Sequence, residues 1–155
     1  MSIRCPTLVI HHQAGKEYWA EQEVGDILFP YDPDLSIERT TYRGVLLVYT
    51  RIEPLKAYRL VVKEILTSID RVIPIIACFK IEKHDELTSL IDSIIPNYLK
   101  ENCVNLSISL RGSLKNMKKP LISAISKHAL VDRRCTRILY MESIDDLLLL
   151  GYIRD

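Results

Sequence analysis

Apolar residues along this chain switch repeatedly between strand-like and helix-like spacing. Pro6 to His11 is β-rich and ends at the Gln13-Ala14-Gly15 turn, and Lys16 to Phe29 then carries Tyr18, Trp19, Val24, Ile27 and Leu28 among glutamates. The first spacing predicts a strand, the second an amphipathic helix. Pro30-Tyr31-Asp32-Pro33-Asp34 cannot continue that helix. Two β-type runs follow, Leu35 to Thr40 and Gly44 to Thr50, joined at Tyr42 and Arg43 as a hairpin. Pro54 suits a helix start, and Leu55, Tyr58, Val61, Val62, Ile65 and Leu66 recur at helical spacing up to Thr67. Val72 to Ile81 is a continuous extended apolar stretch.

Beyond His84 the same alternation resumes. Leu87, Leu90, Ile91, Ile94 and Ile95 define a helix that Asp85 or a neighbour can cap and that Pro96 kinks or divides. Val104 to Leu110 alternates, with Leu106, Ile108 and Leu110 on one face, and Arg111-Gly112 ends it. A helix from about Pro120 to Leu130 places Leu121, Ile122, Ile125 and Ala129 inward, and two strands, Arg137 to Glu142 and Leu147 to Arg154, close the chain around the Ser143 to Asp146 turn. The predicted class is α+β. A βαββαβ module, the split βαβ order of ferredoxin-like modules, is followed by an αβαββ domain. The first module is read as residues 1–70 and the second as 71–155, with the junction running through 71–82.

At 155 residues, 48% hydrophobic and 26% charged, the chain suits a globular protein of one domain or two small ones. No apolar stretch approaches the roughly 20 residues of a membrane span, and no signal peptide is evident, so a cytoplasmic protein without membrane association is expected. Cys5, Cys78, Cys103 and Cys135 are widely spaced with no CxxC pair, and free buried thiols are the default reading. Zinc ligation by these with His11, His12 or His84 lacks ligand spacing, and no metal is expected.

Charge adds the most informative feature. From Arg111 to Arg137 the chain carries Arg111, Lys115, Lys118, Lys119, Lys127, Arg133, Arg134 and Arg137 against Asp132 alone, a local excess of seven in a chain whose net charge is +1. Charge runs are ordinarily solvated faces, but such segregation also suits a polyanion-binding surface. Lys118 and Lys119 stand at the start of a helix, where backbone N–H groups and the dipole attract anions and two lysines disfavour the helix itself. These eight residues are the candidate polyanion-binding set. Ser107, Ser109 and Tyr140 are candidates for added hydrogen bonds or stacking, though solvent-face and core-edge roles suit them better.

Several segments carry a resemblance. Ile69-Asp70-Arg71-Val72-Ile73-Pro74-Ile75, Ser107-Ile108-Ser109-Leu110-Arg111-Gly112 and Gly151-Tyr152-Ile153, in this order of elements, are similar to proteins with a THUMP domain. That RNA-binding module is shared by thiouridine synthases, RNA methylases and pseudouridine synthases. Asp26 to Pro33, Tyr42 to Thr50, Pro54 and Ala57-Tyr58-Arg59 resemble small archaeal-type proteins related to the adaptor subunit of the tRNA cytidine acetyltransferase. The chain departs from the family where it has Lys118-Lys119 in place of small hydroxyl residues, and Arg133-Arg134-Cys135 in place of an Asn-Pro segment. Both departures add positive charge.

The resemblance implies a protein that binds tRNA and presents it to a modification enzyme, an acetyltransferase being the expected partner. The chain contains no GxGxxG, Walker loop, HExxH or GxSxG, nor the pyrophosphatase-loop or methyltransferase motifs of THUMP enzymes. It is therefore expected not to be an enzyme and to need no small-molecule cofactor. Two rivals stand beside this reading. One is an acylphosphatase-like hydrolase using the Gln13-Ala14-Gly15-Lys16 loop, and the other is an interaction module whose basic face meets an acidic protein. A His128–Cys135 dyad has no orienting third group.

Overall fold

The structure, a computed structural model, describes residues 4–153. The chain divides into two compact units, one ending at Ile76 and one starting at Ala77. The first unit contains β1 (Leu8–His12), α1 (Glu17–Leu28), β2 (Ser36–Arg39), β3 (Val45–Tyr49), α2 (Pro54–Val62) and the start of β4 (Ile69–Lys80). Its strand order is β2-β3-β1-β4, antiparallel throughout. Element order and strand order are those of the ferredoxin-like split βαβ. Leu8, Ile10, Leu46 and Val48 from the sheet pack against Ala20, Val24 and Leu28 of α1 and Ala57 and Val61 of α2.

Two expectations change here. Tyr18 and Trp19 do not face the core but are 55% and 57% exposed, because the inward stripe of α1 runs through Ala20, Val24 and Leu28. Nor does α2 continue to Thr67. Glu53 caps its start through the Leu55 and Lys56 N–H groups, and the helix ends at Val62. The Glu23 carboxylate then accepts the Thr67 N–H (2.9 Å) and hydroxyl (2.9 Å) and the Ser68 N–H (2.8 Å), tying the chain down before β4.

Asp32 is buried in this unit, accepting from the Thr50 hydroxyl (2.6 Å) and the Arg51 and Asp34 N–H groups (3.1 Å each). The Thr50 hydrogen bond, outweighing burial and aided by the two backbone donors, holds its carboxyl below the ordinary carboxylate range. The unfolded chain therefore binds the proton more readily. Asp32 contributes stability above its unfolded value of about 4 and loses it as the pH falls through the lower folded value. Asp32→Asn is expected to lower stability at pH 7 and to flatten the decline on acidification. Denaturant titrations at pH 7, 5 and 3 check this; parallel declines for the variant and the parent would refute it.

The second unit takes the end of β4 and adds α3 (Glu86–Tyr98), β5 (Cys103–Ser109), a 3-10 turn (Gly112–Leu114), α4 (Lys118–Ser126), β6 (Leu130–Val131), β7 (Ile138–Ile144) and β8 (Leu147–Ile153). Its strand order is β4-β8-β7-β5-β6, with β7 and β8 antiparallel and β5 parallel to both β7 and β6. Leu87, Ile91 and Ile95 of α3, Leu121 and Ile125 of α4, and Leu139, Met141, Leu148 and Leu150 of the sheet form its core. The α+β class and the βαββαβ and αβαββ sequence of main elements are as expected, with β6 as an extra short strand. Pro96 does not divide α3, which runs on to Tyr98 because only its last turn is affected. Arg154 lies outside the described residues. No described helix is long and apolar enough to cross a membrane.

The cysteines are not free thiols. Cys103 and Cys135 form a disulfide, with Cα atoms 5.7 Å apart, and no described cysteine is free. Pairing of β5 with β6 at Cys103 and Leu130 returns the following turn beside the start of β5. That brings together residues separated by 32 positions, within the reach of a disulfide.

Candidate nucleic-acid interface

Parallel pairing of β5 with β7 sets the geometry of the second unit's basic residues, because it puts both strand ends of one polarity at the same end of the sheet. Where β5 ends, the Arg111 N–H donates to the Ser143 hydroxyl (2.7 Å), which donates in turn to the Arg111 carbonyl (2.9 Å). The Ser113 N–H (3.2 Å) and hydroxyl (3.0 Å) both donate to the Asp145 carbonyl. Leu114 is fully buried beneath the turn. The segment from Arg111 to Met117 is thus pinned to the β7–β8 hairpin and delivers the chain to α4 in a fixed direction.

Lys115, Lys118 and Lys119 are exposed on that segment and on the first two residues of α4. No side chain caps α4 and no acidic residue stands in its first turn, so its N-terminal N–H groups and positive dipole end add to the lysine charge. Arg111 belongs to this end of the sheet but points elsewhere. Its guanidinium lies 3.6 Å from the Glu142 carboxylate, whose side chain is 1% exposed against 19% for Arg111. Arg111 is a framework residue as much as a surface one.

The remaining four residues sit at the opposite end of the parallel strands. Lys127 is the exposed C-terminal cap of α4, and Arg133 is exposed in the turn after β6. That turn is shaped by Asp132, which accepts the Arg134 N–H (2.9 Å) and pairs with the Arg134 guanidinium (2.9 Å), and by the Cys103–Cys135 disulfide. The Arg134 side chain, then its N–H, keeps the Asp132 carboxyl below the usual range, and the Asp132 carboxylate in turn raises the guanidinium's value. Arg137 is half-buried, 3.5 Å from Glu101, which also receives a short hydrogen bond from the Tyr152 hydroxyl.

The eight predicted residues therefore form two groups, not one. β5 is seven residues long, so its ends lie roughly 20 Å apart at about 3.3 Å per residue, while Lys118 and Lys127 at the two ends of α4 are separated by about 13 Å of helix at about 1.5 Å per residue. Arg111, Arg134 and Arg137 are matched by Glu142, Asp132 and Glu101. Lys115, Lys118 and Lys119 at one end, and Lys127 and Arg133 at the other, have no ionic partner among the described residues. Sequence reasoning missed Glu101 and Glu142 because both lie outside the charged window. The one available signal was an acid, Glu142, inside an otherwise apolar strand. Tyr140 is buried, opposite Ser107 in the β5–β7 register, and offers no open ring for stacking.

The hydrolase rival finds no support in the first unit. Gln13 is engaged by Thr67 and Ser68, and Glu17 occupies the first turn of α1, where a bound phosphate would have to sit.

No family model and no curated protein sequence matches the chain. Solved structures do. PH1313 from Pyrococcus horikoshii Ot3 superposes with a TM-score of 0.62 at 10% identity, over 96% of this chain and 54% of its own. TrmN from Thermus thermophilus gives 0.58 at 11% identity, over 96% and 45%. A 4-thiouridine synthetase in complex with RNA and ATP gives 0.54 at 12% identity, over 96% and 41%. At these identities the likeness establishes the fold. The chain spans about half or less of the length of the structures it matches.

These matches correct one expectation. Chains described as a possible methylase from Clostridium difficile 630 and as a putative methyltransferase complexed with SAH carry the same fold over 95% and 97% of this chain. The fold thus occurs inside chains described as enzymes. The expectation that this chain is not an enzyme therefore does not stand.

Proposed function

We propose that this chain binds tRNA and holds it for the active site of a tRNA-modifying enzyme. The observation that carries the reading is the pair of unmatched basic groups at the opposite ends of α4 and β5, about 13–20 Å apart, each fixed by its own framework of hydrogen bonds. Lysine and arginine contacts of this type grip phosphates without reading bases, and two separated grips select a folded RNA over a flexible strand. A fold shared with a synthetase crystallised on RNA supports the same reading. Within it, the THUMP resemblance favours tRNA as the RNA and a cytidine acetyltransferase as the modifying enzyme.

A comparison of tRNA with an unstructured RNA of equal length, titrated against the full chain, tests the proposal. We expect tRNA to bind at least tenfold more tightly. Equal affinity for both RNAs, or preference for an acidic protein over either, would overturn it.

A further inference from the structure

The outer face of α1 carries a second surface, in the first unit and independent of the nucleic-acid reading. Trp19 and Phe29, each 57% exposed, lie on one helical stripe with exposed Gln22 and Asp26, at successive spacings of three, four and three residues. Two shallow clefts meet along this stripe. Trp19, Gln22 and Asp26 border one with Thr67, while Gln22, Asp26 and Phe29 border the other with Leu35 and Ile37. Tyr18 stands edge-on to Trp19, ring centroids 5.2 Å apart, so the two largest rings are already ordered. Exposed aromatics gathered in this way are a feature of interface centres and are costly to leave in water.

The charge around the stripe decides what covers it. From Glu17 to Glu38 the chain has seven acidic residues and no basic one. Four are engaged within the unit: Glu21 by Arg39, Glu23 by Thr67 and Ser68, Asp32 by Thr50 and Arg51, and Glu38 by Arg4. Asp26 borders both clefts, Glu23 the first and Glu21 the second, against Lys16 as the one basic residue in their lining, so the face is aromatic and, on balance, negative. A polyanion is repelled there. Guanidinium groups are attracted twice, by stacking on indole and phenyl rings and by hydrogen bonding to carboxylates. The unit shows the same preference internally, with Lys56 Nζ 5.9 Å from the centre of the Tyr31 ring.

We propose that this face of α1, centred on Trp19, Gln22, Asp26 and Phe29, is a docking surface for an arginine-bearing segment of a partner protein. Trp19 is the only tryptophan in the chain, so its fluorescence reports on the surface directly. The probe is a synthetic peptide of alternating arginine and leucine, titrated into the full chain, with an analogue carrying glutamate for arginine as control. The arginine peptide is expected to change Trp19 emission saturably and the glutamate peptide to leave it unchanged. Asp26→Lys should weaken the peptide at least tenfold while tRNA affinity stays within twofold. Phe29→Ser should weaken it with the charges intact. Both variants alter exposed or half-exposed side chains, and circular dichroism verifies that they fold.

Failure of the arginine peptide to bind, or binding undiminished in both variants, would overturn the proposal. So would a change in Trp19 emission with protein concentration alone, which would assign the face to a second copy, or saturable quenching by tRNA, which would assign it to RNA.

Discussion

Glu142→Ala is expected to cost about 3–5 kcal/mol of unfolding free energy, the usual cost of removing one partner of a buried ion pair. Glu142 lies on β7 among apolar neighbours, and the Arg111 side chain left behind is four-fifths buried. For a domain of marginal stability that is a large part of the total. Urea titration of the full chain, followed by circular dichroism, measures it. A change below about 1 kcal/mol would mean that the pair behaves as a solvated surface bridge. Arg111→Ala should destabilise in the same direction, so any loss of RNA affinity in that variant reports folding before it reports phosphate contact.

The second large effect is at Gly112. Its φ is +75°, and a Cβ there would sit 2.6 Å from the Asp145 Cα and 2.8 Å from both its backbone nitrogen and oxygen. Left-handed backbone alone costs a residue with a Cβ roughly 1–2 kcal/mol. The Asp145 backbone, itself at φ 56° in the hairpin turn, must also move, breaking its bonds to Ser113. Gly112→Ala should therefore lower stability by more than the conformational term and loosen the segment that carries Lys115, Lys118 and Lys119. Hydrogen exchange at Ser113 and Asp145 and a thermal melt test both parts. A melting temperature within a degree or two of the parent would show that the turn is not held as described.

Local patterns made most of the fold legible. Alternation and helical spacing depend on near neighbours, so all four helices and every strand but β6 stood out by type. The errors have identifiable causes. In α1 the apolar residues occupy two faces, and a small buried residue, Ala20, marks the core better than the larger Tyr18 and Trp19. In α2 the helical spacing ran past the point where Glu23, 44 positions from Thr67, captures the chain. At two residues, β6 is too short to alternate.

The candidate site was legible in its charges but not in their partners. Glu101 and Glu142 reach Arg137 and Arg111 through sheet pairing, and Cys103 meets Cys135 the same way; no local spacing encodes these contacts. The division of the basic window into two groups follows from the parallel β5–β7 register, another non-local fact.

The salt dependence of tRNA affinity, measured for the full chain and for Lys118→Glu/Lys119→Glu, tests the central claim most directly. If the five unmatched cations each displace a counterion, the log-log slope against salt should be about −3.5 to −4.5, from roughly 0.7 to 0.9 per phosphate contact. The double variant should flatten that slope by about 2 and bind more weakly at every salt concentration, without loss of stability, because glutamates suit the start of α4 better than lysines. A slope near zero for the parent, or the same slope in the variant, would contradict the account.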